Sequence, residues 1–172
     1  MPIKIKKPID KYMELPEGYP VELIGGELLM TPSPSYSHQK IAGELFRKVA
    51  SYVEQKSLGE VLYVFDIRLD DDNVVRPDII FIPNEDRDKI RENWVEGAPS
   101  LVIEVLSSST ATRDLVDKRE LYERHGVREY WVVDPENSML YIFENNNGVF
   151  RIYCKGKRCQ SKLLKGLEWV FE

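Results

Sequence analysis

Apolar residues recur at helical spacing through residues 38–56, where Ile41, Leu45, Phe46, Val49, Ala50 and Val53 share one face. Ser35 or Ser37 is placed to cap that helix, after a TPSPSYS segment whose prolines end a strand and delay a helix. His38, Glu44 and Lys48 fall off the stripe, and Gly59 ends the unit. Ahead of it, VELIGGELLM predicts two short strands joined at Gly25 and Gly26. After it, EVLYVFDIRL reads as one strand, the DDDN cluster as a solvated turn, and VVRPDIIFI as the start of the next strand. The DDDN cluster lacks the glycine and distal glutamate of a calcium loop. NEDRDKIRENWVEGAPS predicts a short helix or ordered loop capped by Asn84, with Ile90 and Trp94 packing inward and Pro99 as its stop.

The clearest pattern lies in residues 101–134. An apolar strand, LVIEVL, leads into a hydroxyl-rich turn and a helix over about 111–125, with Leu115, Leu121 and Tyr122 on its inner face. Gly126 supplies the left-handed stop, and a second buried strand, in which Tyr130 and Trp131 read as core, ends at Asp134 and Pro135. MLYIFENNNGVFRIYC is a hairpin turning at Asn147 and Gly148, and KLLKGLEWVF is expected to close the sheet. This order predicts an α/β fold: a mixed central β-sheet flanked by helices, a strand–helix–strand crossover, and additional N- and C-terminal hairpins. The expected organisation is one domain over 1–172, with a core at about 37–135 and a hairpin extension at about 136–172.

Composition changes this picture little. The 172 residues are 42% hydrophobic and 31% charged, and no apolar run approaches the roughly 20 residues of a membrane helix. The first residues are basic without an apolar core, so no secretory signal is expected and the default location is cytoplasmic. A net charge of −5 argues against a generic nucleic-acid coat protein but is compatible with an acidic metal site that engages nucleic acid. Cys154 and Cys159 are expected to face each other as thiols, a disulfide being disfavoured in a reducing cytosol, and no function is assigned to them.

The candidate chemistry begins with Glu104. In LVIEVL, Leu101, Ile103 and Val105 point one way, and Val102, Glu104 and Leu106 the other. A carboxylate between covered faces needs a cation, a donor or a metal, since an unpaired buried charge costs at least several kcal/mol. Asp78 stands at the head of the strand before it, on the face of Ile80 and Ile82. Two carboxylates on neighbouring strands can hold Mg²⁺, with Mn²⁺ as the substitute and the main-chain carbonyl of Val105 as a third ligand. Lys118, fourteen residues after Glu104, can orient a water or offset transition-state charge. The plainer accounts are a structural ion pair for Glu104 and a surface pair between Asp114 and Lys118, worth a few tenths of a kcal/mol.

The set RPDIIFI, APSLVIEVLSSST, Asp114 and Lys118 at four-residue spacing, Tyr122 and GVREYWVVDP resembles the Uma family of restriction endonucleases, within the PD-(D/E)xK nuclease superfamily. VELIGGELLMTPSPSYSHQKI is similar to the family's opening segment. The resemblance implies a restriction-endonuclease-like fold and Mg²⁺-dependent DNA cleavage, with Asp78 and Glu104 as the acidic pair. The superfamily's usual lysine position holds Leu106, and the Uma pattern moves the lysine to Lys118. Glu44 matches an additional acidic residue that some members direct at the metal, and His38 fits the pattern, although capping or packing explains it more simply. The rival reading is a catalytically inactive nuclease fold acting as a nucleic-acid-binding or homodimeric assembly module. A serine hydrolase built on residues 107–110 has no triad to support it.

Overall fold

A computed structural model describes residues 6–107 and 111–171, with the side chains of 111–114 outside the described set. Ser108, Ser109 and Thr110 of the hydroxyl-rich turn, and the side chain of Asp114, therefore lie outside it.

Six strands form the larger sheet: β3 (Gly59–Tyr63), β6 (Ile79–Pro83), β8 (Leu101–Val105), β9 (Glu129–Asp134), β10 (Met139–Asn146) and β11 (Val149–Gly156). Their spatial order is β11-β10-β9-β8-β6-β3, and only β8 and β9 run parallel. The parallel pair is joined by helix α3 (Ala111–Arg124), the expected crossover. The Asn147–Gly148 turn has positive φ at both residues, 52° and 87°, as a tight hairpin of this hand requires. Through it the expected hairpin, β10 and β11, extends the central sheet.

The N-terminal half builds a second sheet around the expected hairpin. β1 (Val21–Ile24) and β2 (Glu27–Met30) join β4 (Ile67–Asp70), β5 (Asn73–Val75) and β7 (Val95–Glu96) in a second sheet, ordered β2-β1-β5-β4-β7. EVLYVFDIRL is accordingly two strands. Val64, with φ of 50°, breaks it, and the chain passes from the larger sheet to the smaller one. The return passage is Arg76, Pro77 and Asp78, between β5 and β6. The DDDN cluster is the β4–β5 turn: Asp70 accepts from the Asp72 N–H and the Asn73 side chain.

Each face of the larger sheet carries its own core. Helix α2 (Tyr36–Gln55) packs Ala42, Leu45, Val49 and Val53 against Ile79, Leu101, Ile103 and Val105. The opposite face, with Ile80, Ile82, Val102 and Val132, is covered by Leu121 and Tyr122 of α3 together with Ile67, Val75 and Val95 of the smaller sheet. Tyr130 and Trp131 are both core, as expected. Ser35 caps α2 by accepting from the His38 N–H at 3.2 Å.

Three further expectations change. Residues after Pro83 form the expected short helix, a 3₁₀ helix over Asn84–Lys89, but Asn84 does not cap it; the Asn84 amide donates instead to the Ser57 carbonyl. KLLKGLEWVF does not close the central sheet: β13 (Glu168–Val170) pairs with β12 (Arg158–Gln160) in a separate ribbon, and Leu164, Leu167 and Trp169 cover the α2-side core. Cys154 and Cys159 are joined as a disulfide, because the chain turns back after β11 and brings β12 alongside, with Cα atoms 5.9 Å apart.

Candidate active site

The site forms where the larger sheet ends and the smaller one begins. β6 and β8 are antiparallel, with Ile79 opposite Ile103 and Ile80 opposite Val102. Asp78 immediately precedes β6, in a bend, and lines the same cleft as Glu104, close enough for its charge to act on that carboxyl. The β8 backbone holds Asp78 in place: the Val105 N–H donates to its Oδ2 at 2.7 Å. His38 supplies the other contact, its Nε2 lying 3.1 Å from Asp78.

Glu104 is 9% exposed and receives two donors on one oxygen. Lys118 Nζ is 3.1 Å from Oε1 and the Tyr122 hydroxyl 2.8 Å from it, so neither engages Oε2. α3 delivers both residues one turn apart on its sheet-facing side. Lys118 also reaches across to the smaller sheet, where Glu22 Oε1 lies 2.7 Å from its Nζ. Glu22 is buried in β1 and accepts the Arg76 N–H at 2.7 Å.

Two carboxylates, Glu22 and Glu104, thus flank one fixed cation, Lys118, and a third, Asp78, lines the same cleft. Burial pushes the Glu104 carboxyl up to about 7; Lys118 and the Tyr122 hydrogen bond pull it down, while Asp78 and Glu22 push it further up. Burial alone would lower the Lys118 ammonium, but Glu104 and Glu22 outweigh burial and raise it, so the lysine stays protonated. The hydrogen bond to Asp78 raises the His38 imidazole against the effect of burial. The group opens into a cleft of about 320 Å³, walled on one side by Thr31, Pro32, Ser33 and Pro34.

Of the residues expected at the site, Asp78, Glu104, Lys118 and the main chain of Val105 are brought together. Glu44 is not. It lies six residues beyond His38, roughly 9 Å along the helix axis, and lines a separate cleft with Arg47, Lys48 and Glu168.

The sequence reading missed Glu22 and undervalued His38. Glu22 carries the same signal as Glu104, a carboxylate within an apolar strand. His38 belongs to the buried stripe after all, since 38, 42, 45, 49 and 53 follow helical spacing.

A family model described as "Uma2: Putative restriction endonuclease" matches residues 9–160. The chain belongs to the Uma2 family. No curated protein is significantly similar to it. Among solved structures, this Uma2 chain is similar to a crystal structure described as "a putative nuclease belonging to DUF820 from Anabaena variabilis ATCC 29413". The TM-score is 0.75 at 20% identity, over 87% of this chain and 84% of that one. The likeness shows that the Uma2 fold is the α/β fold of that protein.

The donor set is compatible with a hard divalent cation. Glu22, Asp78 and Glu104 line the cleft against the one lysine, Lys118, and Asp78 and Glu104 are oxygen donors of the kind Mg²⁺ prefers. Among the described residues no group of three or more His, Cys, Asp and Glu side chains forms a chelating cluster. Two carboxylates with retained waters suit Mg²⁺ better than a closed structural zinc site. No helix among the described residues is long and apolar enough to cross a membrane.

Proposed function

We propose that this Uma2 protein is a metal-dependent DNA endonuclease that hydrolyses phosphodiester bonds at the Asp78–Glu104–Lys118 cleft. The observation that carries the reading is the meeting of these three residues in one cleft, Asp78 just before β6, Glu104 in β8 and the lysine on the crossover helix. Asp78 and Glu104 would hold Mg²⁺ or Mn²⁺, with the Val105 carbonyl as a main-chain ligand. When bound, the cation would neutralise phosphate charge and lower the pKa of a water.

The remaining work falls to the chain itself. Lys118 is protonated and therefore is no general base. It donates: to an attacking water, or to the phosphate oxygens as their charge grows. Glu22 and Glu104 hold its Nζ from two sides, so its position is set before substrate arrives. Asp78 accepts from His38 Nε2 and the Val105 N–H, which orients its carboxylate. Tyr122 fixes Glu104 Oε1 and leaves Oε2 for the cation.

Purified protein should nick supercoiled plasmid in Mg²⁺ or Mn²⁺ and not in EDTA. Glu104→Ala and Lys118→Ala should each lower the rate at least about a hundredfold, in the range of lost transition-state donors. Cleavage unaffected by either substitution would remove the assignment. A second reading, a nuclease fold that binds nucleic acid or pairs with itself without cutting, is favoured by the lack of a three-side-chain chelating cluster among the described residues. Calorimetry separates the two, since no heat of binding with millimolar Mg²⁺ or Mn²⁺ would favour the second.

A further inference from the structure

Beside the cleft lies a second, larger concavity of about 520 Å³ between the N-terminal segment and the bend at residues 92–94. The two share walls: Val64 and Arg76 line both. Arg76 links them chemically as well. Its N–H is donated to Glu22 in the cleft, while its guanidinium holds Asp66 in the groove, with Nε 2.5 Å from Oδ1. Val64 marks the junction. A β-branched residue at φ of 50° is a backbone outlier, and its N–H is tied to the Asp78 carbonyl at 2.9 Å. The geometry of the groove's mouth is thereby coupled to the position of the proposed metal carboxylate.

The groove's walls are aromatic: Tyr12, Tyr19, Phe65 and Trp94 all line it. Tyr19 is 42% exposed, and the Tyr12 hydroxyl is held by Asp66 at 2.6 Å. Its charged groups do not suit a phosphate. Glu17 and Glu92 line it, and the Arg76 guanidinium is already paired with Asp66. A flat, neutral, π-faced group with polar edges suits such walls, and the volume falls within the usual range of small-ligand sites.

We propose that this groove is a nucleobase subsite, taking one unstacked base of the strand whose backbone lies in the catalytic cleft. This rests on the nuclease reading and sharpens its substrate class. A base inside a paired duplex cannot enter such a groove, so the enzyme favours single-stranded, flapped or mismatched DNA over uniform duplex.

The test uses a short single-stranded oligodeoxynucleotide and the same sequence fully paired, with wild type, Tyr19→Ala and Trp94→Leu. Binding is measured by anisotropy in Ca²⁺, cleavage in Mg²⁺, and folding by circular dichroism. Tryptophan emission gives an independent signal, because Trp131 and Trp169 are buried and Trp94 lines the groove. Single strands should quench emission in wild type and not in Trp94→Leu. Each variant should bind single strands about 5- to 100-fold more weakly, the range for one lost stacking contact, with duplex binding changed less than about twofold. Variants that bind single strands like wild type, or that lose duplex binding equally, would overturn the subsite. So would quenching by an aromatic peptide and not by DNA. If wild type neither binds nor cuts any nucleic acid, the nuclease reading fails and this inference with it; if it nicks plasmid while the variants match wild type, only the subsite fails.

Discussion

Lys118 Nζ stands between Glu104 Oε1 at 3.1 Å and Glu22 Oε1 at 2.7 Å, so α3 is pinned to both sheets through one ammonium. The lysine is 9% exposed, and so is Glu104. Removing the cation leaves two buried carboxylates facing each other, and breaking a buried pair on one side costs about 3–5 kcal/mol. Lys118→Met should therefore lower stability by about that much, measured by urea denaturation. Adding Glu104→Gln to Lys118→Met should recover part of the loss without restoring nicking. Equal stability of the single and double variants would show that the pair is not coupled.

Tyr122 offers a milder change at the same carboxylate. Its hydroxyl donates to Glu104 Oε1 from a fully buried ring. Tyr122→Phe keeps the ring and deletes a hydrogen bond to a charged group, a loss of about 1.5–3 kcal/mol. Because that bond lowers the Glu104 carboxyl, its removal should also shift the onset of Mg²⁺ binding to higher pH. An unchanged calorimetric pH profile would show that Tyr122 only packs.

The crossover was readable because a parallel strand covered on both faces must be apolar throughout, which leaves Glu104 conspicuous. Both hairpin turns were readable from residues that tolerate positive φ. The division into two sheets was not. Val61 to Phe65 and Ile67 suit a continuous strand, and Asp66 alone, a poor strand former, stands near the break at Val64, which exists because the chain must pass to the other sheet. That hidden passage also concealed Glu22, whose relevance depends on the smaller sheet lying against α3. Glu44 was placed by resemblance alone, and helical geometry carries it away from His38. The disulfide depends on how the chain returns after β11, which a spacing of five residues does not specify.

Glu129 tests the fold apart from the chemistry. It is 2% exposed and accepts from Trp131 Nε1, Ser161 Oγ, and the N–H groups of Lys162 and Leu163. One carboxylate thus anchors the segment after β12 to the central sheet. Glu129→Ala strands these donors and should cost about 3 kcal/mol or more. Glu129→Gln, which keeps an acceptor, should cost less. Thermal melts decide it, and equal melting of both variants would contradict the anchoring role.

Stability should also depend on pH, with a sign set by the direction in which burial raises Glu104 and Asp78 raises His38. Glu104 is raised from 4.5 to about 7, so between those values the folded protein binds more protons than the unfolded chain. Its contribution to stability is therefore greatest below about pH 4.5 and is lost as pH rises toward 7. His38 is raised above 6.5 by Asp78, and its contribution is likewise present below 6.5 and lost as pH rises through its folded value. Metal-free protein should accordingly lose melting temperature from about pH 5 to 8 on account of these two groups. With Glu104 as the proposed ligand, Mg²⁺ should reverse the trend, because it needs the ionised carboxylate that low pH removes. The stabilisation it adds, RT ln(1 + [Mg²⁺]/Kd), should be larger at pH 8 than at pH 6. Glu104→Gln should flatten both slopes, since it removes the titrating group and the proposed metal ligand together. Melts at the two pH values, with and without Mg²⁺, would refute the assignment of Glu104 if the variant kept the wild-type slopes.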